Sequence, residues 1–132
     1  MDRRLKKIER ILAVQKRLHQ LAEWRLAELD REKAELIDGQ KALVAALNHD
    51  AQLQGLFVEA MARRLSALAR ETDRVNQARN AQFRRLVEEG LRLKRTERMT
   101  AGVRRDYRTS QNRQGFENLL ETLARTDNAS LP

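Results

Sequence analysis

The side chains best able to do chemistry are few and widely spaced. His19 and His49 are the only histidines, and the chain has no cysteine. Metal sites draw on His, Cys and carboxylate ligands at short spacing, and no such spacing occurs. No glycine-rich phosphate loop is present. His19 falls on the apolar stripe described below and reads as a rim or partner-binding residue, whereas His49 reads as a turn residue. Catalysis generally needs a concave, water-excluding site holding groups of shifted pKa. Nothing in the pattern builds one, so the expectation is a protein that is not an enzyme and carries no cofactor and no metal. The chemistry on offer is charge. Lys and Arg number 27 against 19 Asp and Glu, net +8. Arg outnumbers Lys 21 to 6, which suits bidentate pairing with carboxylates or phosphates.

The elements that must position this charge follow from periodicity. Ile8, Leu12, Gln15, His19, Ala22, Leu26, Leu29, Lys33, Leu36, Gln40, Leu43 and Leu47 recur at alternating steps of four and three, and eight of these twelve are apolar. A stripe of that width marks a helix buried along one narrow face against another helix. A second stripe reads Met61, Leu65, Leu68, Thr72, Val75, Arg79, Gln82, Leu86, Glu89 and Leu93. Between the two, Asn48-His49-Asp50 offers a helix-ending Asn and a capping Asp, placing a turn at about 48–51. The predicted fold is all-α: a long antiparallel two-helix coiled-coil hairpin over residues 1–99, each arm about 70 Å long. Residues whose numbers sum to about 100 would face each other, Ile8 with Leu93, Leu12 with Leu86, Leu26 with Val75 and Leu43 with Phe57. One continuous helix in a parallel dimer is the structural alternative. The polar stops Gln15, Lys33, Gln40, Arg79 and Gln82 are read first as register-fixing residues, and second as weak points that let the pair bend inside a partner.

Beyond residue 99 the stripe fades. Residues 100–132 are read as a C-terminal extension: a polar linker or frayed helix end at 109–115, a short amphipathic helix at 116–125 and a flexible end. Phe116, Leu119, Leu120 and Leu123 fall at i, i+3, i+4 and i+7, a motif that either docks back on the hairpin or binds another protein.

Charge distribution sharpens the picture. Residues 1–17 carry net +5 and residues 79–108 net +6, while residues 18–78 carry −2. A hairpin gathers both basic blocks at one end, where Arg3, Arg4, Lys6, Lys7 and Arg10 would join Arg92, Lys94, Arg95 and Arg98 as a partner-binding surface. At the other end a bend cannot bury all of Leu43, Leu47, Leu53, Leu56, Phe57 and Val58. The cluster is read as hairpin closure and, through Leu47, Leu53, Leu56 and Phe57, as a second candidate contact, with Leu56 or Phe57 the side chain left exposed. No aromatic platform or DNA-binding motif accompanies the basic blocks, so an acidic protein surface is preferred to nucleic acid as partner. No apolar run approaches the roughly 18 residues of a membrane span, and no signal-peptide core is visible. The expected location is the cytoplasm, with any link to the inner membrane made through a larger complex.

The opening Arg3-Arg4-Leu5-Lys6-Lys7-Ile8-Glu9-Arg10-Ile11-Leu12, the two matched charged helices and the closing Leu91-Arg92-Leu93-Lys94-Arg95-Thr96-Glu97-Arg98 together resemble the FliJ family of flagellar export proteins. In outline they are also similar to the YscO-type stalk proteins of injectisomes. The resemblance is one of pattern and spans about residues 1–105, leaving 116–123 unmatched. It implies a central stalk whose terminal, basic end enters the ring of the export ATPase while the tip reaches towards the membrane export gate. The alternatives are a homodimeric structural coiled-coil adaptor and a basic protein associated with nucleic acid.

Overall fold

The computed structural model of the chain describes residues 2–49 and 55–130. Among them every residue is helical: α1 spans Asp2–His49 and α2 spans Gly55–Ser130, with the two helices packed against each other and no strand. α1 runs the full length of its apolar stripe because no proline interrupts it, and it ends on His49, a basic residue in its last turn. Of the predicted turn, Asn48 and His49 are helical, and Asp50 lies outside the described residues.

α2 corrects two expectations. Described from Gly55, it continues unbroken through 109–115, the stretch read as a linker or frayed helix end, and through 126–130, read as flexible. Thr, Ser, Asn and Gly each cost at most about 1 kcal/mol in a helix interior. Only proline stops an established helix outright, and the one proline is Pro132. Propagating a helix from a stable neighbour also avoids the nucleation cost.

The chain divides into two compact units, each built from a piece of both helices. The first comprises Met1–Arg17 and Leu91–Pro132. Its buried residues are Ile8 and Leu12 on α1 and Thr96, Thr100 and Val103 on α2. Thr100 is only 1% exposed. Its hydroxyl donates to the Thr96 carbonyl at 2.7 Å, so the polar atom is satisfied within its own helix and its burial carries little penalty. Arg104 Nε donates to Glu9 Oε1 at 3.2 Å, tying the two helices together. The packed face therefore passes residue 99 and reaches Val103 and the half-buried Tyr107, where the sequence pattern fades.

The second unit is Leu18–Gly90. Ala22, Leu29 and Val75 are buried, Leu29 to 3% exposure. Polar ties between the helices surround them. Gln40 Nε2 donates to Thr72 Oγ1 at 2.7 Å, and that hydroxyl donates to the Leu68 carbonyl at 2.8 Å. Arg79 Nε donates to Asp30 Oδ1 at 2.9 Å while its guanidinium lies 5.3 Å from the Phe83 ring centre. Gln82 Nε2 reaches the Ala22 carbonyl at 3.3 Å. Three of the polar stops, Gln40, Arg79 and Gln82, are thus cross-helix partners.

These ties also correct the register. Partner numbers on α2 fall as those on α1 rise, but the pairs 22 with 82, 30 with 79 and 40 with 72 add to 104–112 rather than about 100. Glu9 with Arg104 follows the same trend in the first unit. Ile8 is accordingly buried in a unit whose core members on α2 are Thr96, Thr100 and Val103, with Leu93 only half-buried. Unpaired amides in a half-buried seam cost about 1–3 kcal/mol each, so alignment follows the polar partners.

Between Leu29 and the end of α1, and between Gly55 and Val75, no described residue is buried. Leu43, Leu47, Met61, Leu65 and Leu68 stay half-exposed there. Two open grooves result, one of about 840 Å³ including Leu43, Phe57 and Met61, the other of about 610 Å³ including Ile37, Val44 and Leu65.

Candidate partner-binding surfaces

The basic residues singled out by sequence all fall in one unit. Arg3, Arg4, Lys6, Lys7 and Arg10 on α1 and Arg92, Lys94, Arg95 and Arg98 on α2 are exposed. The first unit contains sixteen basic and seven acidic residues, net +9, and the second eleven and twelve, net −1. The whole charge excess of the protein is therefore carried by one unit. Screening by salt has a length of about 10 Å at 0.1 M, so neighbouring cations act together on an anion brought against them. Arg104, held by Glu9, and the exposed Arg105 and Arg108 extend this surface. They were not among the residues picked from sequence, although the basic block at 79–108 contains them.

The apolar candidates beside the connection behave unequally. Leu56 is 85% exposed and Phe57 is also exposed, lining the larger groove. Leu47 is half-buried, which suits packing more than contact. Leu53 lies outside the described residues. The C-terminal motif is brought against nothing: Phe116, Leu119, Leu120 and Leu123 are all exposed, as is every residue from 108 to 128. The option that this motif docks back on the hairpin is corrected by that exposure.

His19 is half-buried, with Nδ1 2.8 Å from Glu23 Oε1 one turn along α1. A side chain added at Gly90 would meet its ring at an ordinary 3.6 Å. Among the described residues no group of three or more His, Cys, Asp or Glu is arranged to hold a metal, and no helix is long and apolar enough to cross a membrane. On the surface of the second unit, the hydrogen bond from Arg74 and then its charge hold the Glu71 carboxyl below the ordinary carboxylate range. The same contact raises Arg74.

Compared with known proteins, the chain matches no protein-family model, no curated protein and no solved structure.

Proposed function

We propose that the chain is an antiparallel coiled-coil hairpin working in the cytoplasm as a non-enzymatic stalk of a bacterial flagellar or type III protein export apparatus. In this reading the basic unit engages an acidic surface of the export ATPase ring. Leu56 and Phe57, beside the connection, engage the membrane export gate. The observation that carries the reading is the concentration of net +9 in a unit built from both ends of the sequence. It is supported by the falling order of partners on α2 and by the pattern resemblance of residues 1–105 to FliJ-type proteins. Exposed arginine forks on two packed helices form a surface suited to carboxylates. The apolar pair beside the connection is exposed well beyond what helix closure requires.

The test is direct. Purified chain is mixed with a hexameric export ATPase, and binding and ATP turnover are measured. The expected outcome is stable binding and faster turnover, with both lost in a chain carrying Arg3→Glu, Arg4→Glu, Lys6→Glu and Lys7→Glu. Replacing Leu56 and Phe57 by Ser should leave ATPase binding intact. An ATPase that neither binds the chain nor changes its rate would overturn the proposal. A basic unit that instead binds DNA with steep salt dependence would move the function to polyanions.

A further inference from the structure

Every residue of α2 from 108 to 128 is exposed, yet the helix persists through Thr109, Ser110, Asn112 and Gly115. A lone helix of that length in water is marginal even for strong helix formers, so a surface covering one side would stabilise it. The helix period shows which side residues 116–123 share with the rest of the first unit. Arg98 to Arg105 is seven residues, Arg105 to Phe116 eleven, and Phe116 to Leu123 seven. Those steps are about two, three and two whole turns, and Lys94 lies about one turn before Arg98. Lys94, Arg98, Arg105, Phe116 and Leu123 therefore stand on one line, with Leu119 and Leu120 on either side of it. From Arg98 to Leu123 that line is about 38 Å long. All seven side chains are exposed. The covered residues Thr100, Val103 and Tyr107 lie about 140–160° round the helix from it, so the line faces away from the packed seam.

We propose that this face docks on an anionic lipid bilayer, with Phe116, Leu119, Leu120 and Leu123 entering the interface and Lys94, Arg98 and Arg105 resting on the headgroups. Charge selects the occupant. Glu97, Asp106, Glu117 and Glu121 lie about 80° or more round from the line. Between Lys94 and Leu123 the face thus presents cations followed by apolar groups, and no carboxylate. Asp127, past the end of the stripe, already has a partner. The unit behind the face carries net +9, which adds attraction for a negative surface. A helix lying in a membrane interface is held by its apolar area together with its attraction to anionic lipid, and one weak signal alone does not anchor it stably. Here the two signals follow one another along one face. Shape favours a bilayer over a folded acidic protein. The stretch 108–128 is a single convex ridge with every residue exposed, and a fluid surface fits such a ridge without a matching groove. The contact is peripheral, since no helix among the described residues is long and apolar enough to cross a membrane. It stands independently of the stalk reading, because no ATPase takes part in it.

The test uses the full chain and vesicles of phosphatidylcholine, with or without phosphatidylglycerol as the minority lipid. Flotation should recover several-fold more chain with the anionic vesicles than with the neutral ones, and recovery should fall as salt is raised. Leu119→Ala with Leu120→Ala should lower recovery several-fold, and alanine keeps the helix, which circular dichroism checks. Lys94→Gln with Arg98→Gln and Arg105→Gln should lower it as well. Gln114→Ser with Asn118→Ser, on the side turned away from the line, should leave it unchanged. Because the chain has no cysteine, an environment-sensitive dye can be attached to a Leu123→Cys chain and, as control, to an Asn118→Cys chain. On anionic vesicles the first dye should shift to the blue and the second should not. The proposal is overturned if neutral vesicles bind equally well, or if the alanine variant binds like the parent, which would leave only diffuse charge attraction. A ridge made for an acidic protein would show itself as a chain that no vesicle recovers, which also overturns it.

Discussion

Two stretches of one helix reverse the usual relation between polarity and burial. In α2, Thr100 is 1% exposed and Phe116 is 61% exposed, although they lie four to five turns apart on the same continuous element. The difference is cover. Residues 91–107 have α1 beside them within the first unit, and residues 108–128 are exposed throughout. Apolar character therefore says what a residue would gain from burial, and the partner helix decides which residues receive it. A threonine can take a core position because its hydroxyl is spent on its own helix.

The sharpest way to break this comparison is to charge both positions. Thr100→Glu puts a carboxylate where no water reaches and should cost about 3 kcal/mol or more, seen as a large fall in melting temperature. Phe116→Glu, read in dilute protein, should change stability by no more than about 0.5 kcal/mol. Equal effects would mean that the two stretches are covered alike. In the second unit, Leu29→Ala should cost about 2–5 kcal/mol through the cavity it leaves, measured by urea unfolding.

A smaller effect tests the polar ties. Gln40→Ala should cost about 1 kcal/mol, and a double-mutant cycle with Thr72→Ala should return a coupling of similar size. A coupling of zero would remove the Gln40–Thr72 bond from any role in setting register. Gly115→Ala should raise helix stability by up to about 1 kcal/mol, because an added methyl at 115 meets nothing within 4 Å. The smallest effect concerns pH. A carboxyl whose folded pKa is depressed contributes stability above its unfolded pKa and loses it as pH falls through the folded value. Glu71→Gln should therefore lower stability slightly at neutral pH, with the difference from the parent chain closing below about pH 4.

Much of the fold was legible in the stripe. Ile8, Leu12, Ala22, Leu29 and Val75 occupy stripe positions and are the buried apolar residues that periodicity marks out. Register was not legible, because it depends on how far Gln40, Arg79 and Gln82 reach, which a heptad count does not measure. Residues 109–115 resemble a linker because their weak helix formers are judged one at a time, whereas α2 runs through them. Thr96 and Thr100 were passed over because their hydroxyls count as polar until the i−4 carbonyl that accepts the Thr100 proton is recognised. For the partner surfaces, the block charges pointed to the residues that come together in the first unit. Exposure separates Leu56 and Phe57 from Leu47, a distinction that an all-leucine spacing does not contain.

The central claim is that one chain folds back so that the basic residues of its first 17 positions and those from Arg92 to Arg108 share a unit. Glu9 and Arg104, whose side chains meet at 3.2 Å, offer the most direct measurement. In a chain carrying Glu9→Cys and Arg104→Cys, a short bismaleimide cross-linker at low protein concentration, followed by mass analysis, should give a monomer with an internal bridge. Intermolecular dimers alone, with both thiols bridged between chains, would show a parallel pair of continuous helices and contradict the account.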